Sequence, residues 1–210
     1  MDERSPDTEQ RILDAAHRVF IRKGTAGARM QEIADEAGVN KALLHYYFRS
    51  KERLGEAVFQ RAFRELVPSV LGTLAADLPI REKVARVIAV EMETLRRAPF
   101  LPGYIISELH HHPERVERML ELAAGQAPAG LARPAVDALG RQLAAAAREG
   151  TVRPIAPEQF VINLLSLCIF PFLARPLWTV ALGWEAARFD TFIDERTESL
   201  TGFFLDALRP

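Results

Sequence analysis

The sequence predicts an all-α chain, with a small N-terminal bundle followed by a larger C-terminal helical body. Three observations carry this. Apolar residues recur at three- and four-residue intervals along most of the 210 residues, the spacing of one helix face. Ala, Leu, Glu and Arg are abundant, whereas the two-residue alternation of a half-buried strand is nearly absent. The Gly, Pro, Asn and Ser residues that interrupt the pattern stand where helices start and stop.

Taken in order, Ile12, Ala15, Ala16, Val19 and Phe20 lie at i, i+3, i+4, i+7 and i+8 and form one apolar face. Asp7 or Thr8 is expected to cap this first helix and Gly24 to end it. A short helix over 30–37 buries Met30, Ile33, Ala34 and Ala37 and stops at Gly38. Asn40 caps a third helix over 41–48, and Ser50 caps a fourth that begins at Lys51 and is expected to end or kink at Pro68. Further helices are expected over 80–97, 101–111, 114–124 and 134–149, with a flexible link over 127–132. An apolar helix follows from Pro157, and the last has Phe189, Phe192, Ile193, Leu200, Phe203, Phe204 and Leu208 along its stripe. The expected division is residues 1–50, a connecting helix 51–67, and residues 68–210.

Composition excludes more than it selects. The chain has 27 Lys and Arg against 28 Asp and Glu, a formal net charge of -1. Bulk charge therefore does not advertise nucleic acid, and a DNA-binding reading has to rest on local arrangement. The one cysteine, Cys168, lies in an apolar run and reads as a small buried hydrophobe in a reducing compartment. Met1 to Gln10 is acidic and polar, unlike a signal peptide. The apolar stretch over 160–174 is shorter than the roughly 20 residues a spanning helix needs. A cytoplasmic protein is expected.

The residues with the most specific chemistry are Ile33-Ala34-Asp35-Glu36-Ala37-Gly38-Val39 and the run that follows. Ala34 is small enough for two helices to approach, Gly38 tolerates positive φ, and Val39 plugs the core just before the cap. Leu44 and Phe48, four apart, anchor the next helix. Lys41, Ala42, Leu43, His45, Tyr46 and Tyr47 are left on faces the core does not use. In a helix-turn-helix the second helix enters the major groove with its N-terminal residues at base edges. Lys41 suits a base acceptor or phosphate, Ala42 close approach, Leu43 a thymine methyl, and His45, Tyr46 and Tyr47 phosphates. Lys51, in the first turn of the next helix, suits a phosphate, and Arg29, Gln31 and Asn40 complete the expected DNA-binding set.

With Leu44-His45-Tyr46-Tyr47-Phe48-Arg49-Ser50-Lys51-Glu52 added, the segment resembles the TetR family of transcriptional regulators over residues 8–66. The chain departs from the common pattern at Ala42, Leu43 and His45, and has Arg29 where the family often has Ser or Thr. The resemblance implies an N-terminal three-helix helix-turn-helix DNA-binding domain and a C-terminal helical domain for ligand binding and dimerisation. It implies a ligand-responsive, sequence-specific regulator, expected to be a repressor released from its operator by a small apolar or amphipathic molecule. Its partners would be double-stranded operator DNA, that effector and a second copy of the chain, which would pair through the helix from Pro157 and the last helix.

Phe59, Phe63, Met92, Phe100, Tyr104, Glu108, Phe160, Leu164 and Cys168 are the expected effector-binding residues, since aromatics and Met suit an adaptable apolar cavity. The alternative is a helical ligand-binding or adaptor protein without operator binding. No nucleophile–base pair, phosphate loop or carboxylate dyad appears, so no catalytic residue, cofactor or enzyme activity is expected. Glu91 and Glu93, two apart, do not share a helix face. Three consecutive histidines, His110 to His112, point about 100° apart on a helix and cannot all face one metal; a metal held by two of them with Glu108 or Glu114 is the alternative to the solvated helix end expected there.

Overall fold

The structure is a computed structural model and describes residues 5–111, 113–114, 117–118, 121 and 130–210. The expected helix over 114–124, the link over 127–132 and His112 lie wholly or largely outside these residues. The described residues are helical, with no strand among them. We number the helices α1 (Pro6–Gly27), α2 (Met30–Ala37), α3 (Lys41–Phe48), α4 (Lys51–Ala75), α5 (Ile80–Arg97), α6 (Leu101–His111), α7 (Arg133–Arg148), α8 (Pro157–Leu173), α9 (Arg175–Leu182) and α10 (Ala186–Asp206).

The described residues form two compact units, one drawn from Met1–Arg64 and Ala98–Ala123, the other from Glu65–Arg97 and Ala124–Pro210. In the first, Ile12, Ala15, Ala16, Val19 and Phe20 of α1 meet Ile33, Ala34, Leu44, Phe48, Leu54 and Val58 in one buried cluster. Phe100 closes it with edge contacts to Phe20 and His17. A second cluster joins Phe59 to Ala98, Leu101 and Tyr104. In the second unit, Val84, Val87, Ile88, Met92 and Leu95 of α5 pack with Phe160, Leu164 and Cys168 of α8 and with Phe189, Ile193, Leu200 and Phe204 of α10. Lys83 lies fully buried among them. Its ammonium donates to the carbonyls of Thr73, Leu74 and Ala76, satisfying the orphan acceptors at the end of α4.

Several boundaries differ from the expected ones. α1 starts at Pro6 behind Ser5, without a side-chain cap from Asp7 or Thr8; proline at the first helical position needs no partner for the N–H it lacks. Gly24 does break the regular helix, at φ 66°, but one further turn carries α1 on to Gly27. α4 runs through Pro68 to Ala75. Pro68 and Arg64, whose carbonyl loses its helical partner, are both exposed residues, where such a loss costs least. Arg175–Leu182 forms a helix of its own, α9, started by Pro176 and ended at Gly183 with φ 64°. No single described helix is long and apolar enough to cross a membrane.

Candidate nucleic-acid interface

The turn between α2 and α3 is built as its residue types require. Gly38 sits at φ 65°, ψ 34°. Its N–H donates to the Asp35 carbonyl at 3.2 Å and that of Val39 to the Ala34 carbonyl at 3.0 Å, the paired bonds of a Schellman end. Asn40 Oδ1 then accepts from the Leu43 N–H at 2.7 Å and starts α3. α2 is stitched to α1 by ion pairs: Arg18 and Arg22 both hold Glu36, at 2.8 and 2.7 Å, and Lys23 holds Glu32 at 2.8 Å. The hydrogen bonds from Arg18 and Arg22 hold the Glu36 carboxyl below its usual range.

α3 presents a coherent outer face. Leu44 and Phe48 are buried, Leu43 and Tyr47 flank them half-buried, and Lys41, Ala42, His45 and Tyr46 are exposed. Tyr46, at 54 % exposure, is the most open large hydrophobic residue of the helix. His45 Nδ1 lies 2.9 Å from the Arg49 carbonyl. A carbonyl only accepts, so Nδ1 is the donor of this bond and Nε2 is left for other contacts. Arg29 is exposed just before α2, and Gln31 is exposed with its amide on Asp35 at 2.8 Å.

Two expected phosphate ligands already have partners within the chain. The Tyr47 hydroxyl accepts from the Ser5 N–H at 2.8 Å and donates to the Ser5 carbonyl at 3.4 Å. Lys51 Nζ donates to the carbonyls of Ala26 and Ala28, at 3.1 and 3.3 Å, at the junction of α1 and α2.

This arrangement is a bundle that holds a short capped helix outward on a Schellman turn. Residues 12–58 match the family model of bacterial regulatory proteins, tetR family. The N-terminal domain belongs to the TetR family. Over 94 residues the chain is 36 % identical to the HTH-type transcriptional regulator BetI of Rhizobium meliloti, covering 45 % of this chain and 46 % of that protein. The chain thus spans about half the length of the curated relatives it matches. Among solved structures, the TetR/AcrR-family transcriptional regulator from Thermobifida fusca is 21 % identical with a TM-score of 0.64, covering 97 % of this chain and all of that one. HlyIIR, a hemolysin II transcriptional regulator, is 22 % identical with a TM-score of 0.60, covering 97 % of this chain and 98 % of that one. At these identities the likeness is one of fold. All three relatives are named as regulators rather than enzymes.

The TetR-type domain also contains a cation outside the expected set. Arg49 is exposed and adopts φ 58°, ψ -42°, and Ser50 N–H reaches back over it to the Phe48 carbonyl at 2.6 Å. This γ-like turn sets the angle between α3 and α4. Its strain is invisible in the sequence, where Arg49 reads as an ordinary loop residue.

The expected effector residues divide between the two units. Phe59 stacks on Phe63 with ring centroids 4.1 Å apart, and Tyr104 packs beside Phe59. Glu108 lies half-buried one turn further along α6. Phe100 serves the core of the TetR-type domain. Met92, Phe160, Leu164 and Cys168 instead share the core of the second unit. Beside Cys168 lies a residue that sequence reasoning passed over, Glu91, which is only 4 % exposed. Burial pushes its carboxyl up to about 7, and burial with the nearby Glu91 pushes the Cys168 thiol up to about 12. The available signal was its position in the stripe Val84, Val87, Ile88, Glu91, Met92, Leu95.

Proposed function

We propose that this chain is a homodimeric, ligand-responsive transcriptional repressor that acts in the cytoplasm on double-stranded operator DNA. The observation that carries the reading is the outer face of α3, where Lys41, Ala42, His45 and Tyr46 stand exposed on a helix anchored by buried Leu44 and Phe48. Lys41, Ala42 and Leu43 occupy the N-terminal turn that meets base edges, and His45 turns Nε2 toward the groove. Arg29, Gln31, Asn40, Tyr46, Tyr47, Arg49 and Lys51 hold the backbone. Binding DNA costs Tyr47 and Lys51 part of their internal bonding, or adds phosphate to it.

The dimer reading is supported by the apolar surface of the second unit. Ile162, Phe170 and Leu173 of α8, Leu177, Val180 and Leu182 of α9, and Phe203 of α10 are all exposed, Val180 to 84 %. So much exposed apolar area on neighbouring elements is characteristic of an interaction surface, and a two-fold pairing buries it on both copies. Two reading heads then meet successive major grooves about 34–36 Å apart on a palindromic site. A small apolar or amphipathic effector held among Met92, Phe160, Leu164 and Cys168 shifts the population of the DNA-competent state.

The experiment is a gel-shift titration of the purified chain against its own upstream DNA, with sedimentation to fix the stoichiometry. A dimer on one palindromic site is expected. A monomer, or binding no tighter than to random DNA at matched salt, overturns the reading.

A further inference from the structure

Glu91 is a buried acidic residue to which no described residue donates a hydrogen bond. It is 4 % exposed on the face of α5 that also buries Val87, Ile88, Met92 and Leu95, and it makes no hydrogen bond or ion pair with any described residue. Such a group is costly in an apolar core unless it is neutral or meets a donor.

Among the described residues of α5 and α10, three cations of the same unit, Lys83, Arg96 and Arg196, are committed elsewhere. From α10, Arg196 donates through Nε and a terminal nitrogen to the Leu167 carbonyl, at 3.1 and 2.8 Å. Also on α10, Asp194 pairs with Arg96 of α5. Lys83, two turns earlier on α5, spends its ammonium on three carbonyls of the α4 end. From α8 the facing titratable group is Cys168, neutral at every physiological pH.

We infer that Glu91 is the polar anchor of the effector site, and that it selects effectors with a protonated amine head on an apolar body. The inference rests on the effector reading above and narrows it to one chemical class. Met92, Phe160, Leu164 and Cys168 supply apolar contact in the same core. Glu91 supplies a carboxylate acceptor there with no donor among the described residues, and an ammonium brings up to three N–H donors and the matching charge. A quaternary head has the charge without the donors, and a carboxylate head meets like charge. Binding therefore depends on the ionised form of Glu91, whose carboxyl titrates near 7.

The test is calorimetric titration of the full chain with three probes that share one tail: octylammonium chloride, 1-octanol and sodium octanoate, at pH 8 and pH 6. Octylammonium stays protonated at both. It should bind at least about tenfold tighter than 1-octanol at pH 8, and that advantage should shrink about tenfold at pH 6 as Glu91 takes up its proton. Glu91→Gln, nearly the same in shape, should abolish the advantage at pH 8 and leave 1-octanol binding unchanged. Equal binding of octylammonium and 1-octanol at pH 8 overturns the role of Glu91 while leaving an apolar effector site standing. So does an ammonium preference that persists in Glu91→Gln or does not change with pH. Failure of all three probes to bind overturns the inference and the effector reading together.

Discussion

Lys51, at the start of α4, donates its ammonium to the Ala28 carbonyl, just before α2, at 3.3 Å. With the bond to Ala26 at 3.1 Å, one side chain ties the end of α1 and the start of α2 to the helix that follows the reading helix. Lys51 therefore positions the helix-turn-helix as well as offering charge to a phosphate. Lys51→Ala should lower stability by about 1–2 kcal/mol through two lost charge-assisted bonds, and reduce the salt slope of DNA binding by about one unit. Thermal unfolding reads the first effect and anisotropy at several salt concentrations the second. An unchanged slope would leave Lys51 with the structural role alone.

Tyr47 is placed similarly. Its hydroxyl bridges the N–H and carbonyl of Ser5 while its ring packs against the buried cluster. Tyr47→Phe should keep the fold within about 1 kcal/mol but speed hydrogen exchange at the Ser5 amide. Affinity for operator and for random DNA should fall by the same factor, because a phosphate contact carries no sequence information.

Arg49 combines charge with backbone strain. Its φ of 58° suits glycine better than any side chain. Arg49→Gly should raise stability by about 1 kcal/mol, or about 2–4 °C in Tm for a chain of this size, and weaken DNA binding. Arg49→Ala keeps the strain and loses the charge, so it should weaken DNA binding without the gain in Tm. Equal Tm for the two variants would mean that the turn is not strained.

The sequence reported the framework well where one residue type meets one physical demand. Gly38 with positive φ, Asn40 as a cap, and Leu44 and Phe48 as anchors were legible because each follows from local geometry, and the bounds of α2 and α3 matched those expected. Features that depend on distant partners were not. The bond from Tyr47 to Ser5 joins residues 42 apart in the chain, and that from Lys51 to Ala26 joins residues 25 apart. Helix α9 lies beyond the apolar stretch over 160–174, in a short segment for which no element was expected. Glu91 was judged against Glu93, its neighbour in sequence, whereas the residues that matter are those sharing its buried stripe.

That stripe gives a pH prediction. Burial raises the Glu91 carboxyl in the folded state to about 7 from an ordinary value of 4.5. Between those two values the folded chain holds more protons than the unfolded one, so this group makes stability fall as pH rises from about 4.5 to about 7. Above that window the full penalty of a buried charge is present, roughly 3 kcal/mol. Glu91→Gln should therefore be more stable than the parent at pH 8 and close to it at pH 4.5, in urea unfolding at both values. A parent chain whose stability is flat across this window would show that Glu91 is better solvated than its burial implies.

Whether α3 reads DNA can be measured by fluorescence anisotropy. A labelled duplex carrying the chain's own upstream region is compared with a shuffled duplex at about 150 mM salt. A preference of about a thousandfold or more for the upstream duplex is expected, lost when Lys41 and His45 are both replaced by alanine while the chain remains folded. Equal affinity for the two duplexes, or a preference untouched by the double replacement, would contradict it.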